Sequence, residues 1–121
     1  IDMSIVGRWA ESQLITYTTY QDLSARDEVY DLVYDEVIKI NATLPENTRI
    51  KRFALLFKEL DADDGELTRT RKIRRKFVYE RYQALINALY TSLDETMLKT
   101  EIVYQDGRKR ELSGQIKLKS V

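Results

Sequence analysis

GELTRTRKIRRK, residues 65 to 76, is the stretch on which the reading of this chain turns. Six of its last eight residues are cationic: Arg69, Arg71, Lys72, Arg74, Arg75 and Lys76. They follow an acidic run of Glu59, Asp61, Asp63, Asp64 and Glu66, so a formal net charge of zero hides a sharp local dipole. Thr68 and Thr70 alternate with arginines ahead of Lys72 and Ile73, and in an extended loop two such hydroxyls share one side. A lysine flanked in this way reaches an anionic ligand. On spacing alone, a charge run of this kind also reads as the solvated start of a helix.

On the C-terminal side of the stretch the helical period runs over 73–90, with Val78, Tyr82, Leu85, Ile86 and Leu89 inward. On its N-terminal side RIKRFALLF, residues 49–57, is β-rich and short, and reads as a core strand. Lys72 is thereby expected between a strand and a helix whose N-terminus favours a phosphate. Pro45, with Asn41, Glu46 and Asn47, marks a break before that strand. Earlier still, Ser24 with Asp27 and Glu28 opens a helix that turns Val29, Leu32, Val33, Val37 and Ile40 inward. Thr19 with Asp22 offers another cap, and residues 15–20 suit a short strand or extended link. Ser4 caps a first helix carrying Ile5, Val6 and a core Trp9, after residues 1–3 read as the tail of a strand. Past residue 91, Asp106-Gly107 between alternating segments signals a hairpin, with Gly114 as a candidate bulge.

The length of 121 residues suits one small domain with a single core and no large substrate chamber. A hydrophobic fraction of 43% and a charged fraction of 33% belong to a soluble globular protein. Without cysteine or histidine, disulfides, thiol or imidazole nucleophiles and ordinary zinc sites are excluded. No apolar run approaches the roughly 20 residues of a membrane span. DADDGE fails as a calcium loop: counted from Asp61, Gly65 falls at position five and Lys72 at twelve. No metal site is expected, and the acids read as a solvated turn that screens the basic run.

A hydroxyl residue, a spacer, a second hydroxyl, a spacer, then lysine, an aliphatic and basic residues resembles the late signature loop of adenylate-forming (AMP-binding) enzymes. Thr68, Thr70, Lys72, Ile73 and Arg75 fit it. GRWAE at 7–11, TTYQDLS at 18–24, IKRFALL at 50–56 and ERYQALINALY at 80–90 look like the C-terminal domain of long-chain fatty acid–CoA ligases, over roughly residues 4 to 91. Arg71 stands where many members carry Gly, and Arg69 where the long-chain branch often has Pro. A stiffer, more cationic loop is expected.

The resemblance implies an α+β fold, a small antiparallel or mixed sheet flanked by helices with a C-terminal β-hairpin extension. Residues 1–91 would be the lid domain, its N-terminal part and hinge lying upstream of Ile1, and 92–121 the hairpin extension of the same domain. It implies an AMP-forming acyl-CoA synthetase in which Lys72 is catalytic; beside it, Thr68 and Thr70 are read as binding phosphate or shaping the loop, and Arg74 and Arg75 as binding CoA phosphates or pairing with acids on the larger domain. ATP, Mg2+ and CoA would serve the full-length enzyme, none held tightly by this chain, which alone would be inactive. The partners implied are a larger N-terminal adenylation domain and a fatty or other carboxylic acid. No nucleic acid is expected, and the setting is cytoplasmic, with peripheral membrane contact at most. The competing reading is a nucleic-acid-binding or protein-interaction module using RTRKIRRK as a basic patch.

Overall fold

Capping chemistry sets the first layer of the fold, which a computed structural model describes over residues 1–121. Helix α1 (Met3–Ser12) is capped by Asp2, whose carboxylate accepts from the amides of Ser4 at 2.9 Å and Ile5 at 3.2 Å. An anionic acceptor at the positive end of a helix satisfies two orphan donors, more than a hydroxyl supplies. Ser4 therefore lies inside the first turn instead of capping it, and residues 1 and 2 lead into the helix instead of ending a strand. Helix α2 (Tyr20–Ser24) has the expected reciprocal cap: Thr19 Oγ1 accepts from the Asp22 amide, and Asp22 Oδ2 from the Thr18 amide, both at 3.0 Å.

Helix α3 (Asp27–Asn41) starts without a side-chain cap. Ser24 does not open it, because its hydroxyl donates back to the Gln21 carbonyl at 3.0 Å. Val29, Tyr30 and Val37 are buried along α3, whereas Ile40, expected inward, is 50% exposed. Asn41 takes the inward place at that end. Its amide nitrogen donates to the Ile50 carbonyl at 2.8 Å and its oxygen accepts from the Ile50 amide at 2.9 Å, closing the turn that Pro45 begins.

The 49–57 segment is extended, but only β1 (Arg52–Phe53) forms a ladder, antiparallel to β4 (Lys119–Ser120). The Leu55 amide has no strand beside it and donates to the Tyr30 hydroxyl at 3.2 Å. Alternation divides the side chains as far as Leu56, with Phe53 and Leu55 on one side and Ala54 and Leu56 on the other, and breaks at the bend that begins at Phe57. Leu55 enters a core with Val6, Ala10, Leu23, Val29 and Tyr30, while Phe57 enters a second with Tyr82, Leu85, Leu98, Ile116 and Leu118. Trp9 is half-buried against the first core.

The single helix expected over 73–90 is two, α4 (Arg75–Arg81) and α5 (Gln83–Leu89), bent at Tyr82 with φ −102° and ψ 22°. Tyr82 still donates to the Val78 carbonyl and accepts from the Ile86 amide, both at 3.0 Å, so the bend keeps its hydrogen bonds. Of the expected inward set, Val78, Tyr82, Leu85 and Leu89 face the second core together with Ala88, whereas Ile86 is half-buried outside it. Strands β2 (Glu95–Val103) and β3 (Lys109–Lys117) form the C-terminal hairpin, in register from Glu95↔Lys117 to Val103↔Lys109, with Gly107 at φ 84° in the turn.

Gly114 pairs with Leu98 in an unbroken ladder, so the expected bulge is absent. Glycine is needed there for space: a Cβ would lie 2.4 Å from Gln21 Nε2, which donates to the Ser113 carbonyl at 3.0 Å. Lys117 adds a second link, donating to the Ala25 carbonyl at 2.8 Å and pairing with Asp27. The result is the expected α+β class, five helices with small antiparallel sheets and a C-terminal hairpin. No helix is long and apolar enough to cross a membrane.

Candidate functional site

Leu67 and Ile73 form an isolated antiparallel bridge, which makes the intervening residues a tight, hairpin-like loop instead of an extended strand. The Arg71 amide donates to the Thr68 carbonyl at 2.9 Å and the Thr68 amide to the Lys72 carbonyl at 2.8 Å. A turn followed by one left-handed residue is the usual geometry of such a short loop. Arg71 is that residue, at φ 63°. This conformation favours glycine, and an arginine occupies it under strain.

The two threonine hydroxyls lie 3.1 Å apart, brought together by the turn and not by an extended alternation, and Thr68 Oγ1 also accepts from the Lys72 amide at 3.1 Å. Both hydroxyls are thus engaged within the loop. Lys72 is exposed, and its ammonium makes no ion pair or hydrogen bond. Arg69, Arg71, Arg75 and Lys76 are likewise exposed and unpaired. Arg74 differs, because its guanidinium donates to the Gly65 carbonyl at 3.0 Å and lies over the Phe77 ring, 5.2 Å from the centroid. Helix α4 begins only at Arg75 and has seven residues, so it offers little of the dipole expected beside Lys72.

Beneath the loop the acidic stretch behaves unlike a solvated turn. Asp61 and Asp63 stay exposed, but Asp64 is 5% exposed and Glu66 is fully buried. Glu66 pairs with Lys58, accepts from the Tyr82 hydroxyl and from the Asp61 amide at 3.2 Å, and has Arg81 Nε at 3.7 Å. Lys58 also contacts Asp64 at 3.0 Å. Two anions meet two cations in a largely buried site, where each would be costly alone. Burial, reinforced by the hydrogen bond to Glu66, pushes the Tyr82 phenol well above its ordinary range. None of these acids pairs with the basic run, so the expected screening does not occur.

Lys58, Asp64, Glu66 and Arg81 were not legible as a group in the sequence. The one local sign is Lys58, placed directly after the buried Leu55 and Phe57. No cluster of three or more acidic, histidine or cysteine side chains suits a metal ion. An open groove of about 880 Å³ flanks the loop, lined by Met3, Tyr20, Leu56, Leu60, Arg71 and Ile73, and Lys72 is not on it.

Lys72 thus stands on a braced turn with Arg69, Arg71, Arg75 and Lys76 exposed around it. No curated protein and no solved structure matches the chain. Residues 5–94 match the family model described as the AMP-binding enzyme C-terminal domain. That match runs from within α1 through the Lys72 loop and covers most of the chain, which belongs to the AMP-binding enzyme C-terminal domain family.

Proposed function

We propose that this chain is the C-terminal lid of an ATP-dependent acyl-CoA synthetase of the long-chain fatty acid–CoA ligase kind, in which Lys72 serves acyl-adenylate formation. The observation that carries the reading is the free ammonium of Lys72 on a hydrogen-bonded turn, inside the family-matched residues. Residues 1–91 form the lid, and 92–121 belong to it as an extension that shares the core of Phe57, Tyr82 and Leu98.

In the first half-reaction a carboxylate oxygen of the acid attacks the α-phosphorus of ATP. That bond forms as the bond to the pyrophosphate oxygen breaks, and negative charge gathers on the phosphoryl group and the departing pyrophosphate. A compact ammonium on a flexible stem bridges the two anions that the reaction forces together. The unpaired Arg69, Arg71 and Arg75 fit a polyphosphate, since none is neutralised by a protein carboxylate. Thr68 and Thr70 shape the loop, and Arg74 holds its stem through Gly65. A larger adenylation domain would supply the acid pocket and the carboxylates for Mg2+. In the second half-reaction the CoA thiol displaces AMP while the lid closes in a different pose.

The test joins these residues to a larger adenylation domain and supplies ATP, CoA and acids of graded length. Acid-dependent AMP release should fall by about a hundredfold or more when the lid is removed. Equal release with and without it would overturn the reading.

The unpaired Arg69, Arg71, Lys72, Arg75 and Lys76 also favour a second reading, a patch for phosphate backbones. Filter binding with RNA and DNA at two salt concentrations decides it: tight, salt-sensitive retention at physiological salt supports the patch, and no retention removes it.

A further inference from the structure

The side chains of residues 68–73 make no hydrogen bond or ion pair outside the loop, so its polar anchoring lies where it joins the body. That junction rests on Glu66. Its carbonyl accepts from the Arg74 amide at 2.9 Å, and its carboxylate is held by Lys58, Tyr82 and the Asp61 amide. Leu67, next in the chain, is buried and bridges to Ile73. The network is closed from the far side by strand β2. Thr100 Oγ1 accepts from Arg81 Nε at 2.8 Å, Arg81 Nη1 donates to the Asp64 carbonyl at 3.0 Å, and the Val103 amide donates to Asp64 Oδ1. Thr100 and Val103 lie past residue 94, where the family match ends.

We propose that Glu66 and Thr100 are positioning residues for Lys72: a buried ionic pin under the loop, closed by the C-terminal hairpin, fixes where the ammonium stands. The inference rests on the catalytic reading of Lys72 above. Its physical basis is leverage, because a displacement of about 1 Å at a reacting group costs on the order of a hundredfold in rate. Arg81 Nη2 is buried without a partner, so Thr100 and the Asp64 carbonyl are the two hydrogen-bond acceptors of the guanidinium. Losing the Thr100 acceptor leaves the guanidinium tied through Nη1 to the Asp64 carbonyl, so a shift of Arg81 is passed to the backbone that leads into Glu66.

The experiment uses the lid joined to its adenylation domain and compares Thr100→Val, Thr100→Ser, Glu66→Gln and Lys72→Ala. Amide exchange reports loop order, and the two half-reactions are assayed separately. Thr100→Val should speed exchange at the Thr68 and Lys72 amides by about tenfold and lower adenylation kcat by about tenfold, with KM and thioester formation unchanged. Thr100→Ser should restore both, and Glu66→Gln should exceed Thr100→Val. Unchanged loop exchange in Thr100→Val, or equal losses in both half-reactions, would overturn the positioning role. So would a loosened loop with full adenylation while Lys72→Ala is slow. Full adenylation by Lys72→Ala would instead overturn the catalytic reading on which the inference rests.

Discussion

The amide of Lys72 donates to Thr68 Oγ1 at 3.1 Å, so the residue that opens the loop fixes the backbone of the one that carries its exposed ammonium. A hydroxyl four residues upstream does the work that a further strand would do in a longer hairpin. Thr68→Val keeps the shape and removes the acceptor. Exchange of the Lys72 amide should rise several-fold, at a local cost of about 1 kcal/mol, with the global unfolding midpoint nearly unmoved. Thr68→Ser should match the parent.

Two residues hold a left-handed backbone without being glycine: Arg71 at φ 63° and Leu14 at φ 58°. Leu14 is 91% exposed and gains almost nothing from burial. Each conformation costs about 1 kcal/mol that glycine avoids. Arg71→Gly and Leu14→Gly should each raise urea stability by about 0.5 kcal/mol, because glycine's greater freedom when unfolded offsets part of the gain. Valine at either position should lower it.

Arg52 gathers the chain ends beyond α5. Its guanidinium donates to the carbonyls of Leu89 at 3.3 Å and Leu118 at 3.2 Å, and to those of Thr91 and Leu93. A cation at the carbonyl end of a helix satisfies orphan acceptors and complements the dipole. Arg52→Met keeps the stem and loses every donor, so unfolding free energy should drop by about 2 to 4 kcal/mol in a urea titration.

Three phenols set the alkaline limit. Burial pushes Tyr20 up to about 12, helped by Glu59 and Asp2, and raises Tyr30 and Tyr82 as well. Each holds its proton more tightly folded than unfolded, so above the ordinary 10.0 the unfolded chain loses protons first and stability falls as pH rises. On the acid side Asp2 is held low by Ser4 and Asp27 by Lys117, and their support fades as pH falls below the ordinary 3.8. Urea midpoints should be level around neutrality and drop above about pH 10, in step with phenolate absorbance.

Features that follow from local chemistry were legible in the sequence. The Thr19 and Asp22 cap, the Asp106-Gly107 turn and the inward faces of Tyr82 and Leu85 need only spacing and residue type. What was not legible depends on approach through space. The acids of DADDGE look solvated until Lys58 and Arg81 are brought against Asp64 and Glu66. The 49–57 run looks like a full strand, yet only two residues find a partner, and Gly114 looks like a bulge until Gln21 fills the space above it. The bend at Tyr82 leaves the helical period intact and so carries no signal.

The central claim concerns one ammonium, and the most direct measurement is acid-dependent exchange of pyrophosphate into ATP by the Lys72→Ala enzyme, beside its conversion of supplied acyl-adenylate to thioester. Exchange slowed by about a hundred- to a thousandfold with thioester formation nearly intact is the result expected. Exchange at the parent rate would contradict the account.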